Sequence, residues 1–309
     1  MKASWLLSLC LLPAAATCLG APAGALMGWG VATPGKTPEV FAPGVICLPE
    51  RKEGTPTFSP DGREMYFTVV ESNGGLAIFE SLRTKEGWAT PVRSAFSDAG
   101  WNWEPFLSPS GAELFFVSNR SPGGPKWNGR IWKMQRTSEG WTSPQEMTLP
   151  FTPRKGAWFP SVDRSGGIYL GAYSEAGENF GKGDLYAGRL EAGTLKIENL
   201  GSVINSAHEE WDPFIAPDGS YVLFVSDRPG GVGGVDIYVS FKRDDAWMAP
   251  MNLGPEINSA GNEVAARVSP DGKFLFFDRA ADGGQDIFWV SSGVIEALRQ
   301  KAFASRTGN

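Results

Sequence analysis

A single all-β domain, a β-propeller of about five four-stranded blades, is the fold this sequence predicts, and three observations predict it. A Pro-Asp-Gly-type turn recurs at Pro60-Asp61-Gly62, Pro109-Ser110-Gly111, Arg164-Ser165-Gly166, Pro217-Asp218-Gly219 and Pro270-Asp271-Gly272, about fifty residues apart. Each turn is followed by an apolar, aromatic or β-branched run, such as Met65-Tyr66-Phe67-Thr68-Val69, Leu114-Phe115-Phe116-Val117 or Val222-Leu223-Phe224-Val225. Three copies then carry a Trp three residues before a Pro: Trp88 and Pro91, Trp141 and Pro144, Trp247 and Pro250. A fixed period of this size with strand-like content marks a ring of blades, and runs this apolar need neighbouring sheets on both faces.

The first residues read as an address rather than as structure. Met1-Lys2 and the short apolar stretch 3–16 have the pattern of a secretory signal covering 1–25, with small-residue cleavage sites at Ala21-Pro22-Ala23 and Ala23-Gly24-Ala25. The alternative is a lipid anchor at Cys18, for which Ala15-Ala16-Thr17-Cys18 is an imperfect lipoprotein box. Either way the expectation is bacterial-type export to the periplasm or medium, with no transmembrane segment. Cys10 and Cys18 fall in the signal, so Cys47 is left without a disulfide partner and the fold must hold by packing.

Residues 26–292 make the propeller. Pro38-Glu39-Val40-Phe41-Ala42-Pro43-Gly44-Val45 matches Pro250-Met251-Asn252-Leu253-Gly254-Pro255-Glu256-Ile257, and the last copy lacks its own Trp-x-x-Pro segment. The N-terminal strand is therefore expected to complete the fifth blade and remove its open edge. Within a copy, the strand before the turn is innermost and the apolar run is second. Third strands are expected at 76–80, 130–133, 184–186, 236–239 and 286–289, and the Trp-x-x-Pro segments as outer strands, where a Pro without an N–H is tolerated. Residues 293–309, with Val294, Ile295, Leu298 and Phe303 at helical spacing, predict a short helix packed outside the ring.

Composition supports one large core, with 42% hydrophobic and 12% aromatic residues in 309. A net charge of −6 argues against nucleic acid and anionic membranes as partners. One His and one Cys outside the signal cannot build a His/Cys metal cluster, and no cofactor is expected. The Gly230-Gly231-Val232-Gly233-Gly234 run lacks the Lys-Ser/Thr of a phosphate loop and reads as a turn.

The repeat, E-x-x-P-x-x-S-P-D-G, then an aromatic strand, then S-D-R-x-G-G-x-G-G-x-D-I-Y, then W-x-x-P-x-N-L-G-x-x-I-N-S, resembles the WD-like propeller repeats of TolB-type proteins. The fourth copy carries nearly all of it, and the third departs most. The resemblance implies the propeller, while the function has to come from a site, because propellers of this type host many activities. TolB itself is a periplasmic protein-interaction propeller with an added α/β domain, for which this sequence leaves no room, so membership of its envelope complex does not follow.

Propeller geometry brings the starts of the inner strands together with the loops between second and third strands. That face gathers Glu53, Glu210 and Glu263 in one column, Trp103, Trp158 and Trp211 in a second, and Arg120, Arg228 and Arg279 in a third, with Glu104 and Asp212 beside the Trp column. A funnel of carboxylates, guanidinium forks and aromatic rings suits a protein, peptide or glycan ligand. The structural reading of the same columns is a hydrogen bond or ion pair repeated in every blade. Residues that break the symmetry, His208 with Glu209 and the Lys126-Trp127-Asn128 loop near Trp101, are further candidates. The expected function is a monomeric binding or scaffolding module of the cell envelope. The alternative is a carbohydrate-active enzyme, a glycoside hydrolase or lyase, using Glu104, Asp212 and Glu210. Carboxylates free beside open Trp faces would favour the enzyme, and carboxylates held by Arg or backbone donors would favour binding.

Overall fold

In a computed structural model, residues 29–120, 129–150, 153–174, 183–191, 194–281 and 284–304 are described. The expected signal with Cys10 and Cys18, and the Lys126-Trp127-Asn128 patch, lie outside them. The chain enters through β1 (Glu39–Val40), and β2 (Lys52–Phe58), β3 (Glu64–Val70), β4 (Leu76–Leu82) and β5 (Val92–Arg93) form the first blade. The second holds β6 (Asn102–Leu107), β7 (Glu113–Ser118), β8 (Arg130–Thr137), β9 (Gly140–Trp141) and β10 (Gln145–Glu146). The third is β11 (Pro153–Val162), β12 (Ile168–Ser174), β13 (Asp184–Glu191) and β14 (Thr194–Asn199). The fourth is β15 (Glu210–Ile215), β16 (Tyr221–Ser226), β17 (Asp236–Arg243), β18 (Ala246–Trp247) and β19 (Met251–Asn252). The fifth, β20 (Glu263–Val268), β21 (Phe274–Ala281) and β22 (Gly284–Ser291), is completed by β1, with Glu39 opposite Trp289 and Val40 opposite Phe288. A five-bladed propeller closed by its N-terminal strand is thus the fold.

The turn chemistry is as expected. Gly62, Gly111, Gly166, Gly219 and Gly272 all have φ between 65° and 81°, the left-handed region that a Cβ would oppose. In the first and last turns the hydroxyl of Ser59 or Ser269 accepts the N–H of Glu64 (2.9 Å) or Phe274 (3.0 Å), which fixes the hairpin.

One expectation holds in part. The Trp of the Trp-x-x-Pro segment does border the third strand, but it holds only one end of that strand, and a second outer piece follows the Pro. Third strands run past the sheet, and their far ends pair with the Trp piece: Arg136 faces Trp141 and Lys242 faces Trp247. The outer strands β10 and β19 come after the Pro, which lies in the gap where a missing N–H costs nothing. The displaced Trp reaches the preceding blade. Trp141 Nε1 donates to Tyr66 Oη (3.2 Å), and the Trp247 ring stands edge-on to Tyr169 at 6.5 Å.

The helix α1 (Gly293–Ala304) follows β22 and buries Ile295 and Ala302. Arg299 Nη2 donates to Ser220 Oγ (3.0 Å), and the Arg243 guanidinium covers the Phe303 ring at 4.2 Å, seating the helix on the fourth blade. Among the described residues no helix is long and apolar enough to cross a membrane.

Every inner strand has the same bulge. The register slips between Gly54 and Thr57, Trp103 and Phe106, Trp158 and Ser161, Trp211 and Phe214, and Val264 and Arg267. Within each slip one residue has positive φ: Thr55, Glu104, Phe159, Asp212 and Ala265, all between 52° and 56°. None is glycine, so each costs about 1–2 kcal/mol of backbone strain. The bulge turns that residue's N–H out of its own sheet and toward the preceding blade, where it becomes part of the site.

Candidate functional site

At the end of the ring where the inner strands begin, one device joins loop to strand in four blades. A guanidinium bonds both the residue opening the inner strand and the carbonyl of the loop before it. Arg51 reaches Glu53 and Ile46 O, Arg120 reaches Asn102 and Phe96 O, Arg228 reaches Glu210 and Ile204 O, and Arg279 reaches Glu263 and Ile257 O. Glu53, Glu210 and Glu263 are at most 1% exposed. Glu210 also accepts from Ser206 N (2.8 Å), Ser206 Oγ (2.6 Å) and Ser226 Oγ (2.9 Å), and Glu263 repeats the two serine contacts through Ser259. The arginines come from different places. Arg279 lies on β21 directly opposite Glu263, the register position of Ser226, whereas Arg228 lies two residues beyond β16. Arg51 precedes its strand, a partner that sequence columns could not show because only the assembled loop brings it to Glu53.

One layer deeper, the bulge N–H groups are caught by the preceding blade. Glu104 Oε2 accepts Phe159 N (2.7 Å), Asp212 Oδ2 accepts Ala265 N (2.8 Å), and Asp278 accepts Thr55 N (2.8 and 3.0 Å). In the first blade Thr68 Oγ1 accepts Glu104 N (3.0 Å). These acids are almost wholly buried. Burial pushes Asp212 up to about 7, against the pull of the Ala265 N–H and Arg267. Burial, with the nearby Asp212 charge, holds Glu104 and Asp278 well above the usual carboxylate range. Arg267, pressed the other way by burial, stands among all three.

The Trp column divides. Trp103 is buried, while Trp158 and Trp211 are half-buried. Trp158 stands edge-on to Tyr173 at 5.5 Å, and the Tyr173 hydroxyl donates to Glu209 Oε2 (2.8 Å) and contacts Trp211. Trp158, Tyr173, Glu209 and Trp211 therefore form an aromatic and acidic patch where the third and fourth blades meet. His208 lies beside it with Nδ1 3.7 Å from Asp227, nearly half exposed, and makes no bond to Glu209. Tyr173 was not legible beforehand because its role depends on which loops converge. Cys47, Glu53 and Asp286 place one potential ligand atom each within 4.8 Å. The thiol donates to Ile287 O (3.7 Å) and is pushed up by burial, and Glu53 Oε1 is paired with Arg51, while Glu53 Oε2 is buried without a hydrogen bond.

No family model and no curated protein matches the chain. Among solved structures it is similar to a putative TolB from Agrobacterium tumefaciens (18% identity, 75% of this chain and 70% of that one, TM-score 0.51). It is also similar to TolB from Acinetobacter baumannii (14%, 78% and 52%, 0.50). An α-L-arabinofuranosidase from Podospora anserina in complex with cellotriose gives 10% identity over 83% of this chain and 97% of that one, with a TM-score of 0.52. The likeness is one of fold.

Proposed function

We propose that this protein is a binding propeller of the cell envelope that docks a protein, peptide or glycan on the face where its inner strands begin, at Trp158, Tyr173, Glu209 and Trp211. The observation that carries this reading is the commitment of every carboxylate named for catalysis. Glu210 serves Arg228 and two serines, Glu104 the Phe159 N–H, and Asp212 the Ala265 N–H, and none is more than 5% exposed. Half-buried aromatic rings beside an acidic group are instead what a docking surface requires. The signal-like residues 1–25 support the envelope as location.

A second reading, acid/base hydrolysis, is favoured by one observation: Asp212, pushed up to about 7, and Glu104, also held well above the usual carboxylate range, are a buried carboxyl pair of the kind acid/base chemistry uses. The two readings separate in one experiment. The full chain is screened by thermal shift against peptide and glycan panels, with Trp211→Ala and Tyr173→Phe in parallel, and tested for release of chromophore from aryl glycosides. The binding reading expects a ligand that raises Tm in the parent and not in Trp211→Ala, and no turnover. Turnover abolished by Asp212→Asn would replace it with the enzymatic reading.

A further inference from the structure

Arg267 is the residue the blade architecture does not use. It occupies the position after the bulge where the other inner strands carry Thr57, Phe106, Ser161 and Phe214. Two of those hydroxyls hold a neighbouring blade, Thr57 Oγ1 accepting Leu107 N and Ser161 Oγ accepting Ile215 N, both at 2.9 Å. Arg267 does nothing of the kind. It is 2% exposed, and Nε, Nη1 and Nη2 are all buried without a hydrogen bond. Its guanidinium carbon lies 5.2 Å from the Phe106 ring centroid. The nearby Asp212, Glu104 and Asp278 are held by backbone N–H groups of the next blade, and none bonds the guanidinium.

A buried fork of five donors with no acceptor is costly, and bidentate carboxylate recognition is what this group does best. The space nearest to it is a cavity whose wall must part to uncover the nitrogens, which are wholly covered. Arg267 lies against a cavity of about 160 Å³ that opens on the opposite face, among the Pro-Asp-Gly turns. Phe106, Phe214, Val162 and Val268 wall it and Arg164 lines its turn side. A cavity of that size is enough for a compact ligand and too little for a folded partner.

We propose that the central channel binds a small monocarboxylate, its two oxygens on the Arg267 fork and its apolar body against Phe106 and Phe214, entering past Arg164. The acids beyond the guanidinium select against a second negative charge on the ligand, and the apolar walls select against a polar body. The site lies at the other end of the channel from the Trp158–Trp211 patch, so its failure would leave the partner-docking reading standing, and the reverse.

Benzoate is the probe, with benzamide as neutral isostere and inorganic phosphate as polyanion, titrated calorimetrically into the full chain. Benzoate is expected to bind at least about tenfold more tightly than either control, since only it offers a charge-assisted bidentate pair with an apolar body. Arg267→Gln should abolish the preference for benzoate over benzamide. Val268→Phe, which fills the cavity without touching the guanidinium, should abolish binding, and decides the matter if Arg267→Gln does not fold. Arg164→Ala should weaken binding only about two- to threefold, as loss of a charge outside the bonded pair does. Equal binding of benzamide or phosphate, no benzoate heat in the parent, retention in Val268→Phe, or loss in Arg164→Ala alone would overturn the proposal.

Discussion

Cys47 stands where two other blades place an amide and a third a hydroxyl. Asn258 Oδ1 accepts Ile237 N (2.9 Å) while its Nδ2 donates to Ile237 O (3.0 Å), Asn205 does the same to Leu185, and Ser97 Oγ accepts Ile78 N (2.9 Å). In the closing blade this strap is reduced to a long thiol contact with Ile287 O. Replacing Cys47 by Asn should restore it and raise stability by about 1 kcal/mol, or roughly 2–4 °C in Tm. A lowered Tm would show that the closing segment differs from the other straps. Asp212 makes a prediction about pH. Its carboxyl moves from an ordinary value near 3.8 to about 7 on folding, so folding favours the protonated form. The stabilisation is complete below pH 4 and is lost as pH rises through 7. Asp212→Asn keeps an oxygen for the Ala265 N–H but removes the titration. Its Tm should therefore fall less than the parent's between pH 4 and 8, with Glu104 and Asp278 leaving a residual slope, and an unchanged slope in the variant would contradict the assignment. At this scale the sequence was half legible. Recurrence identified Glu53, Glu210 and Glu263, yet their partners Arg51, Arg228 and Arg279 sit at three different chain positions, which only the converged loops reveal.

Among the elements, β1 is two residues long and still decides whether the ring closes. Its anchor is Phe41, whose N–H donates to Ile287 O (2.8 Å) and whose fully buried ring meets Trp289 at 5.1 Å, Phe276 at 5.2 Å, Trp88 at 5.9 Å and Phe58 at 6.2 Å. Phe41→Ala should cost about 3–5 kcal/mol, the loss from emptying a rigid aromatic cage, measured by chemical denaturation. A loss below about 1 kcal/mol would mean that backbone pairing alone holds the strand. This element was legible because 38–45 repeats the pattern of 250–257. The outer strands were legible only in part, for a physical reason. The missing N–H of Pro was taken to mark the edge strand itself, whereas Pro91, Pro144 and Pro250 precede that strand, and the long third strand behind them holds the Trp.

For the whole molecule, the period of the turns was enough to count blades, because each blade solves the same packing problem. The channel was less legible, since which side chains enter it depends on a bulge that shifts the inner strand by one residue. Arg267, the group that makes the fifth inner strand unlike the rest, is hidden for that reason, and Asp278 because its partner, the Thr55 N–H, belongs to the first blade. Closure by β1 also sets an order of events. Blades one to four pair strands that are neighbours in sequence, so each can assemble as the chain is made. The fifth must wait, because Glu39 and its partner Trp289 lie 250 residues apart in the chain. Until they meet, β22 presents a bare aromatic edge, open to the same segment of another copy. The pairing that covers β22 in the finished ring thus comes last, and crowding during refolding should trap exchanged pairs rather than misfolded monomers.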